Sequence, residues 1–136
     1  MVREVIPWGK LFQVAAKAQQ HAYAPYSKFR VGAAAWIEGG QISLGCNVEN
    51  ASYGLSVCAE RNAIGRAIAE LGNRRLLGMA ILTESAQPSP PCGMCRQVMF
   101  EFAGRDIPVR SRNLLGHERR YRLNRLLPAA FSKKYL

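Results

Sequence analysis

Two short segments of the sequence concentrate residues that can bind a metal ion and move protons. Cys-Ala-Glu at 58–60 and Pro-Cys-Gly-Met-Cys at 91–95 together supply three thiols and one carboxyl group. Three thiolate ligands leave a tetrahedral zinc ion with one open position, which a hydrolytic zinc site needs. A carboxylate beside that position can transfer protons during hydrolysis. The two segments therefore predict a zinc-dependent enzyme.

The spacing of these residues suits one metal ion held between two helix ends. Cys92 and Cys95 are three residues apart at a predicted helix start, so their sulfurs lie on one face. Cys58 stands at the start of another predicted helix, and helix N-termini stabilise thiolates. Glu60 follows Cys58 by two residues and points in another direction, which favours a proton carrier over a ligand.

Three thiolates carry more negative charge than a zinc ion can neutralise. The excess makes the metal a poorer Lewis acid than it would be among neutral histidines, so some group has to withdraw charge from the sulfurs. Backbone N–H groups are one candidate. Two arginines adjacent to the motif are the others, Arg61 next to Glu60 and Arg96 next to Cys95.

Two other interpretations of the cysteines compete with an open zinc site. A structural zinc could use all four cysteines, with Cys46 as the fourth ligand. Cys46 lies within a predicted strand and has no partner at ligand spacing, so a small buried apolar role suits it better. A Cys-x-x-Cys redox pair is the second alternative. It would leave Cys58 and Glu60 without a role.

Periodicity and turn residues predict the elements that hold these segments. Gly39-Gly40 suits a hairpin, and Ser56 is a candidate N-cap for the helix that carries Glu60. Strands then alternate with helices, which predicts one layered α/β domain over residues 1–136 with right-handed crossovers. The predicted helices are 8–22, 58–71 and 92–103, the predicted strands are 29–37, 41–48, 76–83 and 107–110, and 114–123 stays unassigned.

Composition narrows the class of protein. The chain has 136 residues, 49% of them apolar, and no window of 18 uninterrupted apolar residues that could span a membrane. Residues 1–7 lack the apolar core of a signal peptide, so a cytoplasmic location is expected.

The net charge of +10 is concentrated at the C-terminal end. Residues 105–136 hold nine basic and two acidic side chains. A solvated basic surface is the simplest interpretation. Nucleic-acid binding is disfavoured because the arginines are not interleaved with aromatic residues that could stack on bases.

Several longer segments resemble the cytidine deaminase family of small homotetrameric enzymes. A Cys-x-Glu motif followed by Pro-Cys-x-x-Cys is the pattern of zinc-dependent nucleobase deaminases. The resemblance implies a three-layer α-β-α fold with a mixed sheet of roughly five strands. The segments that carry it are CNVENASYGLSVCAERNAI at 46–64, PCGMCRQVMFEF at 91–102, AYAPYSKFRVGAA at 22–34 and LLPAAF at 126–131.

The resemblance also assigns the zinc site. It implies one Zn²⁺ per subunit with Cys58, Cys92 and Cys95 as ligands. Glu60 matches the family's proton-transferring glutamate. Arg61 matches the arginine that offsets the charge of the thiolates.

Six further positions match the family's substrate contacts. Asn47 and Glu49 match the residues that bind the ribose hydroxyls, and their spacing at a strand end places them on one side. The resemblance makes Phe29 part of the nucleoside pocket and Ala59 a contact of the base. It makes Phe131 a stacking partner for the pyrimidine of a neighbouring subunit. Tyr53 is placed at such a shared site.

The activity that the resemblance implies is hydrolytic deamination of cytidine and 2′-deoxycytidine to uridine and 2′-deoxyuridine in pyrimidine salvage. A small-molecule nucleoside, a homotetramer with shared active sites and no membrane partner follow from it. The alternatives are deamination of blasticidin S or of a nucleotide, and a basic nucleic-acid-binding or -editing zinc protein. Asn47 and Glu49 favour a free ribose, since a 5′-phosphate would need a cationic clamp.

Two segments depart from the family pattern. Residues 110–125 are more basic than expected and do not align with it. Met94 stands where the family often has a small residue, which predicts a reshaped rim of the metal site.

Overall fold

The computed structural model describes residues 5–136. Residues 1–4, which belong to the segment without a signal-peptide core, lie outside the described part. The helices are α1 (Trp8–Gln20), α2 (Ala59–Leu71), α3 (Gly93–Ala103) and α4 (Leu123–Leu126), and the strands are β1 (Val31–Ile37), β2 (Gln41–Cys46), β3 (Leu76–Thr83), β4 (Pro108–Asn113) and β5 (Glu118–Arg122). Single 3₁₀ turns lie at Tyr53–Leu55 and Lys133–Tyr135.

The five strands form one mixed sheet in the order β2-β1-β3-β4-β5. Strand β1 is antiparallel to both β2 and β3, β3 is parallel to β4, and β4 is antiparallel to β5. The inner strand β1 reads Val-Gly-Ala-Ala-Ala-Trp-Ile and is buried along its whole length. Such a continuous apolar run is expected where helices cover both faces of a sheet.

Two clusters of buried side chains lie on opposite faces of the sheet. On one face, α1 packs Leu11 and Ala15 against Ala34 and Leu82 of the sheet. On the other face, α2 and α3 pack against the alternate residues of β1, β3 and β4. The structure therefore has three layers, α-β-α, as the resemblance implied.

Two glycines allow helices to lie unusually close to the sheet. A Cβ atom on Gly32 would come within 1.9 Å of the carbonyl oxygen of Ala15 in α1. A Cβ atom on Gly45 would come within 2.4 Å of both the carbonyl oxygen of Ala59 and the backbone nitrogen of Ala63 in α2. The second contact fixes the height of the first turn of α2 above β2, and that turn carries Glu60.

Both helices of the predicted metal site begin one residue later than the sequence suggested. Cys58 is the N-cap of α2 and Cys92 is the N-cap of α3, each with extended backbone angles. The prediction of Ser56 as N-cap was wrong, because this residue closes the preceding 3₁₀ turn. Pro91 lies just before the cap of α3. Each N-terminus is thus capped by a cysteine that is also a proposed ligand.

The C-terminal third differs most from the prediction. Strand β4 extends to Asn113, and the unassigned segment 114–123 contains β5. The Oδ1 atom of Asn113 accepts hydrogen bonds from the backbone N–H groups of Leu115 and His117 and thereby closes the hairpin. Strand β5 reads Glu-Arg-Arg-Tyr-Arg and lies at the sheet edge, so it lacks the apolar alternation that identifies a half-buried strand.

Among residues 5–136, no helix combines the length and the apolar character that crossing a membrane requires.

Candidate active site

Three cysteine sulfurs converge where α2 and α3 begin. The Sγ atoms of Cys58, Cys92 and Cys95 all lie within 4.8 Å of one another, and those of Cys58 and Cys92 are 3.6 Å apart. Ligands at about 2.3 Å from a tetrahedral zinc ion are separated by about 3.8 Å, so the spacing fits zinc. Thiolates are also preferred ligands of zinc in proteins.

Cys46 is not part of the sulfur cluster. Its thiol lies at the end of β2, where burial raises its pKa, and its carbonyl oxygen accepts a hydrogen bond from Asn62. A four-cysteine zinc site therefore finds no support in the described residues. The redox-pair interpretation fails to account for Cys58, which lies directly against Cys92.

The electrostatics of the cluster favour bound thiolate. A hydrogen bond from Cys95 lowers the pKa of Cys58 to about 5, against the opposing effect of burial, and Arg61 lowers it further. The same hydrogen bond raises the pKa of the fully buried Cys95, which keeps its proton in the absence of metal. The N-termini of α2 and α3 add positive potential at the sulfurs. Metal binding would thus release protons from the cluster.

Glu60 is the second residue of α2 and lies beside the sulfurs. Its side chain is only 4% exposed. Burial raises its pKa to about 7, and the negative charge on Cys58 adds to the effect, while a backbone hydrogen bond opposes it. A carboxyl group with a pKa near neutrality can both accept and donate a proton under physiological conditions.

Arg61 lies next to the sulfurs and Arg96 does not. The Nη2 atom of Arg61 is 3.8 Å from Sγ of Cys58 and 3.4 Å from the carbonyl oxygen of Ser56. The guanidinium of Arg96 instead donates to the carbonyl oxygens of Pro91 and Leu126 and so ties α3 to the C-terminal segment. Of the two arginines considered from the sequence, only Arg61 is placed to offset thiolate charge.

An unpartnered atom of Arg61 also indicates that the cluster holds a zinc ion with three thiolates. Its Nε is buried and has no hydrogen-bond partner among the described residues. Burying part of a guanidinium is costly unless negative charge lies nearby. Three thiolates around a divalent ion leave one net negative charge beside it, which would repay that cost.

A cavity of about 170 Å³ opens onto the sulfur cluster. Glu60 and Ala59 lie at its base together with Cys58 and Cys92. Its remaining walls are Phe29, Val31, Asn47, Ile81, Thr83, Ser89 and Pro90. The walls are mainly apolar with a few polar groups, as is usual for a site that takes a small planar molecule.

A second cavity of about 400 Å³ contains Glu49 and Tyr53. The Oε1 atom of Glu49 accepts hydrogen bonds from the backbone N–H groups of Tyr26 and Ser27, and its Oε2 accepts one from the Ser27 hydroxyl. The Ser27 hydroxyl is the main cause of the lowered pKa of Glu49. Tyr53 is largely exposed and packs edge-on against Tyr26. Glu49 is therefore held as an ionised carboxylate at a fixed place.

Strand β2 ends at Cys46, two residues before the predicted end at residue 48. Asn47 and Glu49 therefore both lie just beyond the strand. The side-chain amide of Asn47 accepts a hydrogen bond from the N–H of Val31 and donates one to the carbonyl of Phe29. Val48, between the two residues, forms bridges to Tyr23 and Val57. Asn47 lines the first cavity and Glu49 the second, and the two cavities share no lining residue.

Phe131 lies outside both cavities. Its ring is 58% exposed and stacks on Tyr135, with the ring centroids 6.0 Å apart. Its carbonyl oxygen accepts a hydrogen bond from Gln97 of α3. Met94 is also exposed and is not among the residues that line either cavity, so the structure gives no support to a reshaped rim.

Sequence reasoning missed several residues that shape the site. Ser27 and its neighbour Tyr26 together donate the three hydrogen bonds that hold Glu49 in place. Thr83, Ser89 and Pro90 line the first cavity. The only available signal was their place in loops next to the motif segments. Asn62, whose amide binds the carbonyl of Cys46 and so joins α2 to the end of β2, gave no signal of its own.

The three-layer fold and the three-sulfur cluster define a zinc-dependent enzyme of the deaminase class. The family model for the cytidine and deoxycytidylate deaminase zinc-binding region matches residues 8–111. The chain belongs to the cytidine deaminase family.

Individual relatives agree with this assignment. A cytidine deaminase of Halalkalibacterium halodurans is 44% identical over 122 residues, which cover 90% of this chain and 92% of the relative. One of Mycobacterium tuberculosis is 43% identical over 130 residues, which cover 93% and 90%. The crystal structure of cytidine deaminase from Burkholderia pseudomallei superposes with a TM-score of 0.87 at 44% identity and covers 93% of this chain and all of the other.

Proposed function

We propose that the protein catalyses hydrolytic deamination of cytidine and 2′-deoxycytidine to uridine and 2′-deoxyuridine, with release of ammonia. The observation that carries the proposal is the buried carboxyl group of Glu60 in the cavity onto which the sulfur cluster opens. The relatives named as cytidine deaminases, which align over most of the chain, support the choice of substrate.

Cys58, Cys92 and Cys95 would hold one zinc ion per subunit, and Arg61 would offset the charge of their sulfurs. The ion supplies Lewis-acid activation of water when it is bound. The cysteines lie at two helix N-termini, with Cys58 and Cys92 as the N-caps, so the start of each helix sets the position of its ligands.

Glu60 would carry the protons of the reaction. It takes a proton from the attacking water and delivers it to N3 of the cytosine ring. It then takes the second proton from the new C4 hydroxyl and delivers it to the amino group, which leaves C4 as ammonia. A pKa of about 7 suits a group that is used first as a base and then as an acid. Proton transfer of this kind typically contributes about 10²–10⁴-fold to the rate.

The remaining cavity residues would position the nucleoside. Phe29 packs against the base, and Ala59, which is fully buried, brings the backbone of α2 close to the ring edge. Asn47 in the first cavity and Glu49 in the second would bind the ribose hydroxyls. The carboxylate of Glu49 is held in place by Ser27, so little ordering is needed when the sugar binds.

Completion of the site by a second subunit is part of the proposal. Phe131 is exposed and lies away from both cavities of its own chain, which supports a stacking role in a neighbouring subunit. Tyr53 is also exposed and would lie at such a shared boundary. We infer a homotetramer of single-domain chains, residues 1–136, that works in the cytoplasm in pyrimidine salvage.

A substrate panel tests the proposal. Purified protein with a measured zinc content is assayed by ultraviolet absorbance on cytidine, 2′-deoxycytidine, dCMP and blasticidin S, and on single-stranded DNA by product analysis. Turnover of both nucleosides, with little on the other three, is the expected result. Preference for dCMP, blasticidin S or DNA would contradict the proposed substrate, and zinc-loaded protein inactive on all five would contradict the proposed chemistry.

A further inference from the structure

A group of arginines lies on the face of the sheet opposite the sulfur cluster. Alternate residues of β4 and β5 face the α1 side, because Ala80 of the α1 cluster is in register with Arg110. Arg110 in turn is directly opposite Arg120, and Arg112 is opposite Glu118. Helix α1 covers the β1 and β3 part of this face, so the arginines form a basic surface beyond its edge.

Four of the arginines converge on one open cavity of about 410 Å³. Its lining consists of Pro108, Arg110, Arg120, Tyr121, Arg122 and Arg125. None of these residues lines either cavity of the proposed active site. We call this place the arginine cavity.

The carboxylates near the arginine cavity leave many arginine N–H groups available. Glu118 accepts one hydrogen bond from the Nε of Arg112 and one from the Nε of Arg120. Asp106 accepts one from the Nε of Arg122. A guanidinium carries five N–H donors, so the terminal nitrogens remain free to bind an acceptor from solution. The two carboxylates orient the side chains without neutralising all of them.

Arg110, like Arg125, has no carboxylate partner among residues 5–136, and it lies directly opposite another arginine. Within residues 5–136, the ion pairs of these arginines involve only Glu118 and Asp106, and Arg110 takes part in none. Its guanidinium is stacked on Trp8 at 4.3 Å from the ring centroid. Burial lowers its pKa, and the charge of Arg120 lowers it further, while the charge of Glu118 opposes these effects. Like charges directly opposite each other across two strands are destabilising, so this arrangement costs free energy in the unliganded protein.

We propose that the arginine cavity binds the phosphate chain of a small oligophosphate, either free or as part of a nucleotide. Guanidinium groups bind phosphate oxygens through paired, charge-assisted hydrogen bonds. An oligophosphate would place negative charge between Arg110 and Arg120 and relieve their repulsion. Its successive phosphates could engage Arg122 and Arg125 at the same cavity.

The grouping of the arginines favours a small ligand over a polynucleotide. Arg110, Arg120, Arg122 and Arg125 all line one cavity, so a short phosphate chain could reach the four of them. Glu118 and Asp106 interrupt the basic surface, and a long phosphodiester backbone would pass close to them. The aromatic residue of the lining, Tyr121, is partly buried against the sheet core, which limits its use for base stacking.

Calorimetric titration of the zinc-loaded protein tests the proposal. The ligands are inorganic tripolyphosphate, adenosine triphosphate and a 20-residue single-stranded DNA, each at low and at moderate salt. The variants are Arg110→Gln and Arg120→Gln, with Arg119→Gln as the matched control, because Arg119 is on the same strand but faces the other side. Thermal unfolding of each variant checks that it is folded.

We expect saturable binding of tripolyphosphate. Each of the first two substitutions should weaken it at least tenfold, and the control should change it less than twofold. Similar behaviour of adenosine triphosphate would extend the site to nucleotides, and its failure to bind would identify the free oligophosphate as the ligand. Binding equal in all variants would reflect removal of zinc by the phosphate and would overturn the proposal. Binding of DNA alone, or of adenosine triphosphate without tripolyphosphate, would also overturn it.

Discussion

The guanidinium of Arg61 lies 3.8 Å from the sulfur of Cys58, one turn along the same helix. Cys58 is the N-cap of α2, so both the helix N-terminus and this side chain create a positive electrostatic potential at its sulfur. The same contact therefore has two effects. It favours the thiolate form of Cys58, and it offsets part of the excess negative charge of the three sulfurs.

Replacing Arg61 should weaken zinc binding. Arg61→Gln removes the cation that lowers the pKa of Cys58, so the thiolates compete less well with protons, and we expect roughly 10–100-fold lower zinc affinity. Competition with a chromophoric chelator measures the change. Arg66→Gln, on the same helix but paired with Glu70 at the surface, is the control and should bind zinc normally. Equal affinity of all three proteins would show that Arg61 has no role in the charge balance.

The close approach of β2 to α2 should make Gly45 intolerant of any side chain. In Gly45→Ala the new methyl group would meet the backbone of Ala59 and Ala63, and we expect a loss of about 2–3 kcal/mol in the free energy of unfolding. Urea denaturation of the zinc-loaded protein measures it. Gly65→Ala in α2 has open space around the new Cβ and should instead stabilise by about 0.5–1 kcal/mol. Equal stabilities of the two variants would contradict this packing.

Glu49 should affect substrate binding more than chemistry. Glu49→Gln loses the charge that would bind the ribose hydroxyls, and we expect KM for cytidine to rise roughly 10–100-fold while kcat and zinc content change little. Steady-state kinetics measures both constants. With 2′,3′-dideoxycytidine, which lacks the hydroxyls, the variant and the parent should have similar KM values. An equal loss on both substrates would place the effect of Glu49 outside sugar recognition.

Asp106 should contribute stability that acid removes. Burial raises its pKa, but hydrogen bonds from the backbone of Asn124 and from Arg122 outweigh this effect, so the folded-state pKa is below its ordinary value. A lowered folded-state pKa contributes stability above the unfolded-state pKa, and the contribution disappears as the pH falls through the folded-state value.

We therefore expect Asp106→Asn to lose about 1 kcal/mol of unfolding free energy near pH 7. The difference from the parent should shrink steadily below about pH 4. Urea denaturation at a series of pH values measures it, with Glu101→Gln at the exposed surface of α3 as the control. A difference that stays constant from pH 7 to pH 3 would contradict the assignment.

The sequence predicted the elements around the cysteines to within a residue or two. Gly72, which stops α2 with a φ of 79°, and Pro91, which precedes the cap of α3, are strong local signals. Strand β5 could not be recognised in this way, because Tyr121 is its only apolar residue and packs against the core alone. The arginines of that strand therefore looked like a basic tail, although the sheet arranges them around one cavity.

Spacing alone could not choose between Arg61 and Arg96. Each arginine follows a motif residue directly, and only the family resemblance favoured Arg61. The different paths of α2 and α3 away from the cluster place one guanidinium beside a sulfur and the other beside two carbonyl groups. The role proposed for Phe131 cannot be read from a single chain, since its ring does not line the cavity beside the sulfurs.

The most direct measurement is the turnover of cytidine by Glu60→Gln protein whose zinc content is known. The substitution keeps the size of the side chain and removes its ability to carry protons. We expect one zinc ion per chain, an unchanged circular dichroism spectrum and a value of kcat about 10²–10⁴-fold below that of the parent. A zinc-loaded variant with kcat within a few-fold of the parent would contradict the role of Glu60 as the proton carrier of the reaction.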